Sequence, residues 1–164
     1  MLSQIFKKTK NLHFERTYRA PVATVWRAWT QPDMLREWWG PEKTFVAECD
    51  VDLTVGGRIF IVMEAGEAMG KYQGTRWPMS GTFTLIDEPT RLRYDARSWT
   101  EGEEDGSTIQ HTNAITLTER NGDTVVVLDI AITAIGPKAK MAAFGMKWGY
   151  KAQLDKLEKY LANR

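Results

Sequence analysis

The last quarter of the chain constrains the fold most. From about Pro137 to Ala162 the sequence reads as one uninterrupted helix, about 39 Å long at 1.5 Å per residue. Tyr150, Leu154, Leu157 and Leu161 make one apolar stripe, and Met141, Phe144, Trp148 and Ala152 make a second beside it. Together the stripes are too wide for a helix resting on a flat surface and suit a helix held inside a concave one. What precedes this helix must therefore supply a curved apolar face.

The preceding residues supply strands. Leu12 to Arg19 alternates with a period of two, with Leu12, Phe14 and Tyr18 on one side. Arg16 shares that apolar side. Pro21 opens a helical stretch carrying Val22, Val25, Trp26 and Trp29, and a second short helix runs from Met34 to Trp39 before Gly40-Pro41 stops it. Six further strands are predicted at Thr44–Leu53, Arg58–Glu64, Ser80–Asp87, Arg91–Trp99, Ile109–Glu119 and Thr124–Thr133. Asn121-Gly122 is a strong hairpin signal, and Gly56-Gly57, followed by a strand rather than a helix, is a turn and not a phosphate cradle. Residues 65–79 carry three glycines and a proline and read as a long loop, and residues 100–108 read as an acidic, solvated one. The fold class is α+β: a curved antiparallel sheet of six to seven strands wrapped around the C-terminal helix. Residues 1–10 are expected to be a tail, and residues 11–164 one domain. A long helix covers only part of a coiled sheet, so a cavity is expected between them.

Composition narrows the functional classes. The formal charge is +1 and there is no basic tract, so nothing points to nucleic acid. The single cysteine, Cys49, cannot form an internal disulfide, no run approaches a membrane span, and residues 1–10 lack the apolar core of a leader. A cytoplasmic location is the expectation. Two histidines far apart and one cysteine show no metal-ligand spacing, and no cofactor is indicated.

Candidate site residues follow from strand parity. His111 and Asn113 share a face with Ile115 and Leu117, and Tyr94 shares one with Leu92. These three are placed to orient a ligand by hydrogen bonds, or His111 to act as a base; His111 also has an exposed reading, at a strand start after a polar loop. Arg16 is read either as an anion site or as half of an ion pair with Glu48, Asp50 or Asp52. Trp39 lines the pocket mouth or clasps the short helix to the sheet. Phe144 and Trp148, the aromatic members of the second helical stripe, complete the expected ligand-facing set. No nucleophile or paired carboxylate accompanies His111, so no catalytic residue is assigned.

Four segments, APVATVWRAWTQPDMLREWWGP, DVDLTVGGR, SGTFTLIDEPTRLRY and FGMKWGYKAQLDKLEKYL, together resemble the family named after the activator of the heat-shock-protein-90 ATPase. That family lies within the START-like, helix-grip superfamily. The resemblance covers about Leu12 to Leu161. It implies the helix-grip fold and a cavity, and it carries an association with the stress response. Three uses follow. The first is a module binding a small hydrophobic or amphipathic molecule. The second is a cyclase- or hydrolase-like enzyme using His111, Tyr94 and Arg16. The third is a module that contacts heat-shock-protein-90. Free sheet edges leave a homodimer open.

Overall fold

The computed structural model describes residues 10–164. The N-terminal tail expected over residues 1–10 lies outside the described residues except for Lys10, which begins the first strand. In chain order the elements are β1 (Lys10–Tyr18), α1 (Val22–Thr30), α2 (Pro32–Trp38), β2 (Thr44–Val51), β3 (Arg58–Ala65), β4 (Arg76–Asp87), β5 (Arg91–Ser98), α3 (Glu104–Ser107), β6 (Ile109–Arg120), β7 (Asp123–Ile135) and α4 (Lys140–Ala162). The strands form one antiparallel sheet in the order β1-β7-β6-β5-β4-β3-β2. Strands β2 to β7 are thus a meander of hairpins, and β1 returns beside β7.

The first two strands sit at opposite edges of this sheet. α1 and α2 make the crossing between them. Val25, Trp26, Ala28 and Trp29 of α1 and Met34, Leu35 and Trp38 of α2 are buried. Pro32 opens α2, where its missing N–H costs nothing. The edge of Trp38 meets Trp29 at 4.8 Å between ring centroids, and its indole N–H donates to the Ala28 carbonyl at 2.9 Å. Register irregularities place one extra residue in each of β2, β4 and β7. Bulges of this kind bend a sheet and increase its twist.

The segment expected to be one long loop over residues 65–79 is shorter. A 3-10 stretch occupies Glu67–Tyr72, and Arg76 to Met79 already belong to β4. Pro78 is tolerated there opposite Val62 although it has no N–H to give the ladder. The acidic loop holds one short helical turn, α3, with its carboxylates exposed.

α4 is anchored by its second half. Leu154, Leu157 and Leu161 are buried. The Tyr18 hydroxyl donates to the Leu154 carbonyl at 3.1 Å, and Arg16 meets Asp155 at 2.8 Å, so β1 is tied to α4 twice. The first half differs. Only Ala143 and Tyr150 are buried there, and Met141, Phe144 and Trp148 are 83%, 70% and 62% exposed.

Two tryptophans therefore have opposite roles. Trp38→Ala is expected to cost about 3–5 kcal/mol, as for other large-to-small changes in a core. Trp148→Ala, at an exposed position, should stay within about 0.5 kcal/mol. Urea unfolding midpoints of the two variants check this.

Candidate functional site

A cavity of about 210 Å³ lies between the first half of α4 and one end of the sheet. Its floor comes from Met63 of β3, Trp77, Pro78 and Met79 of β4, Ser98 of β5 and Ile109 of β6. Trp99, Thr100 and Ser107 close one side, and Trp39 and Pro41 close another. Ala142, Met146, Gly149, Tyr150 and Gln153 of α4 roof it. None of these side chains is charged. A second recess, about 440 Å³, lies on the outer face of the sheet among polar and charged residues such as Asp95, Arg97 and Gln110. It is an open groove between exposed side chains, and we take the smaller, apolar cavity as the candidate site.

The polar groups at the cavity form one connected row. Ser98 Oγ and His111 Nε2 are 2.9 Å apart, and His111 Nδ1 and Asn113 Oδ1 are 2.6 Å apart. The Asn113 amide donates to the Tyr150 hydroxyl at 3.1 Å. Direction follows from the last bond. With its NH₂ given to Tyr150, Asn113 offers its oxygen to His111, so Nδ1 carries the imidazole proton. Nε2 is then an acceptor, and the Ser98 hydroxyl donates to it. Both ends of the row, Ser98 and Tyr150, line the cavity.

Burial sets the charge of the row. It pushes the His111 imidazole below its ordinary value, and the Asn113 bond only partly offsets this. It pushes the Tyr94 and Tyr150 phenols up, Tyr94 well above the usual range. All three are therefore neutral near pH 7. Cys49 is also buried, which raises its thiol to about 11 and makes it a poor nucleophile.

Three of the expected site residues are brought together on the inner face of the sheet, but behind the cavity rather than in its lining, so they do not meet a ligand there directly. Tyr94, His111 and Asn113 are 1%, 2% and 0% exposed, and Tyr94 pairs with Asn113 across β5 and β6. The exposed alternative for His111 is thereby corrected, because the β6 strand parity carries its ring to the inner face. Trp39 is buried; it lines the cavity and packs at a steep angle against Trp38 of α2, 5.6 Å between ring centroids.

Three further placements differ from expectation. Arg16 does not reach the cavity lining, and its partner is Asp155 of α4 rather than Glu48, Asp50 or Asp52. The physical reason is topological: β1 and β2 occupy opposite edges of the sheet. Glu48 instead pairs with Arg76, which also binds Glu64 at 2.9 Å and Glu101 at 3.2 Å. Phe144 and Trp148 point away from the cavity into solvent. The face of α4 turned to the cavity carries small or flexible residues there, Ala142, Met146 and Gly149.

Sequence reasoning missed Ser98, Gln153 and the Trp77–Met79 stretch. Ser98 was on the inward parity of its strand. Gln153 sits one helical turn after Tyr150 and is only 4% exposed. Its Oε1 accepts the Gly40 N–H at 2.9 Å. Gly40 has φ +89°, and a Cβ there would come within 2.8 Å of Met63 Sδ and Thr44 Oγ1, so only glycine fits. The Gly-Pro stop after α2 thus also holds α4 through one hydrogen bond. Among the described residues no cluster of three or more His, Cys, Asp or Glu is placed to hold a metal. No helix among them is long and apolar enough to cross a membrane.

A curved antiparallel sheet gripping a C-terminal helix over an uncharged cavity defines a START-like, helix-grip protein. Residues 19–162 match the family described as activator of Hsp90 ATPase homolog 1-like protein, and the chain belongs to that family. Solved structures with the same fold include a protein of Nitrosomonas europaea, 24% identical, with a TM-score of 0.71 and coverage of 93% of this chain and 94% of that one. A Silicibacter pomeroyi protein that carries the family's name is 24% identical, with a TM-score of 0.72 and coverage of 93% and 98%. A Rhizobium leguminosarum protein is 19% identical, with a TM-score of 0.73 and coverage of 96% and 97%. These likenesses show the fold alone. No curated protein matches the chain.

The buried imidazole makes stability pH-dependent in a known direction. The unfolded chain takes up the His111 proton near its ordinary pKa of about 6.5, whereas the folded state takes it up only at lower pH. Stability is then full above about pH 6.5 and falls as pH drops from there through the folded-state value. Wild-type protein should lose more stability between pH 7 and pH 5 than His111→Gln. Denaturant titrations at a series of pH values measure the difference.

Proposed function

We propose that this chain is a binding module whose cavity takes a small, uncharged, largely apolar molecule. The observation that carries this reading is the lining: three tryptophans, three methionines and no charged side chain around about 210 Å³. Tryptophan and methionine give large, polarisable contact surface to rings of varied shape. An ion placed there would lose its water without gaining a counter-charge.

A neutral fluorescent hydrocarbon-like probe, N-phenyl-1-naphthylamine, tests it. Saturable fluorescence enhancement is expected. Gly149 lines the cavity, and a Cβ built on it meets nothing within 4 Å. Gly149→Leu should therefore occupy the cavity while removing a mid-helix glycine that itself costs about 0.5–1 kcal/mol. At least tenfold weaker probe binding with undiminished stability is the expected result. Equal binding by wild type and Gly149→Leu would refute the reading.

A second reading has its own observation. Ser98, His111 and Asn113 form a hydroxyl–imidazole–amide row with the hydroxyl at the cavity. That is the arrangement of a nucleophile, its base and an orienting group. The depressed basicity of His111 and the absence of a carboxylate behind it weaken the base, so binding ranks first. In the enzymatic reading, purified protein cleaves 4-nitrophenyl butyrate and Ser98→Ala abolishes the turnover. Contact with heat-shock-protein-90 rests on family membership and on no feature of the cavity.

A further inference from the structure

We infer that the ligand of this cavity carries a neutral acceptor oxygen of the carbonyl type, held between the Gln153 amide and the Tyr150 hydroxyl. The inference rests on the binding reading above and adds the chemistry of the ligand's polar end.

Three buried side-chain polar atoms have no hydrogen-bond partner among the described residues: Trp29 Nε1, Tyr94 Oη and Gln153 Nε2. Only the last belongs to a residue that lines the cavity. The Gln153 amide oxygen is committed, because it accepts from Gly40 N–H at 2.9 Å. Its NH₂ is thus a fixed donor. A buried donor left unsatisfied costs about 1–3 kcal/mol, so an arriving acceptor gains more than it would at a hydrated surface.

Tyr150 adds a second donor. Its oxygen already accepts from Asn113 at 3.1 Å. The direction of the Ser98–His111–Asn113 row leaves the Tyr150 proton uncommitted. Residues three apart on a helix share a face, with Cβ atoms about 5–6 Å apart. Tyr150 and Gln153 stand in that relation on the cavity face of α4. Two donors so placed match the two lone pairs of one carbonyl oxygen.

The same site disfavours a carboxylate. No Lys, Arg or protonated histidine lines the cavity. A carboxylate would offer acceptors but bring an uncompensated charge into an apolar space. Ser98, whose proton is given to His111, presents lone pairs only. It therefore suits a donor elsewhere on the ligand and repels an acceptor at that end.

A matched series of probes isolates the oxygen: 2-ethylnaphthalene, 2-acetylnaphthalene and 2-naphthoate. Each is titrated at pH 8 against bound N-phenyl-1-naphthylamine. The ketone should displace the reporter at least tenfold more tightly than the hydrocarbon, and the carboxylate should be the weakest. In the infrared, the carbonyl band of the bound ketone should shift to lower frequency. Gln153→Glu keeps an oxygen for Gly40 and removes the donor, so it should erase the ketone's advantage and the band shift while the hydrocarbon still binds. Tyr150→Phe provides an independent variant with the same expected direction. If hydrocarbon and ketone bind equally to the wild type, the acceptor assignment is overturned and the binding module stands. If 2-naphthoate binds tightest, the assignment is likewise overturned. If neither neutral probe displaces the bound reporter, the acceptor assignment is overturned; if the reporter itself does not bind saturably, the binding reading falls, and this inference with it.

Discussion

Everything at the site depends on how α4 is fixed at one end only. Leu154, Leu157 and Leu161 bury that end, Tyr18 and Arg16 of β1 bond to it, and Gln153 reaches across to Gly40. The apolar burial supplies the larger share of the attachment, about 1.5–3 kcal/mol for each fully buried leucine. The hydrogen bonds set the rotation of the helix about its axis. That rotation decides which residues face the sheet. It turns Tyr150 and Gln153 inward and carries Phe144 and Trp148 outward.

The cavity is a consequence of small residues in the unburied half of the helix. Close packing in an interior normally leaves few voids. Here Ala142 and Gly149 face the sheet where a leucine would otherwise close the gap. The polar row beneath is satisfied internally, from Ser98 through His111 and Asn113 to Tyr150. Such a row can remain buried without collapsing the space above it, because none of its inner members needs a partner from the cavity.

The hairpins, the strand parity and the long helix were legible because period-two and period-3.6 patterns are local. The inward direction of Tyr94, His111 and Asn113 follows from that parity, although none of the three reaches the cavity lining. The rotation of α4 was not legible. Large apolar residues usually mark the buried face of a helix, but a helix that roofs a cavity turns small residues inward, so Phe144 and Trp148 gave the wrong face. The partner of Arg16 could not be read either, since it depends on which strands become edges. The start of β4 was hidden by Pro78 and by glycines 66, 70 and 74, all of which resemble loop signals. Gln153 gave no signal at all, because a lone glutamine on a helix is ordinary until its neighbours are known.

Strand β1 pairs with β7 from Lys10↔Ile132 to Tyr18↔Thr124, with most of the chain between the two partners. As the polypeptide leaves the ribosome, β1 emerges before every other strand of the sheet and its neighbour β7 after them. The meander from β2 to β7 can form by successive local hairpins, whereas the closing edge waits for a distant contact. Closing that span carries an entropic cost that grows with the logarithm of its length, and non-local pairing of this kind slows folding. During this interval the inner side of β1 has no cover. Nascent chains stalled before residue 124 would thus hold an incomplete sheet, one whose β1 edge has no partner.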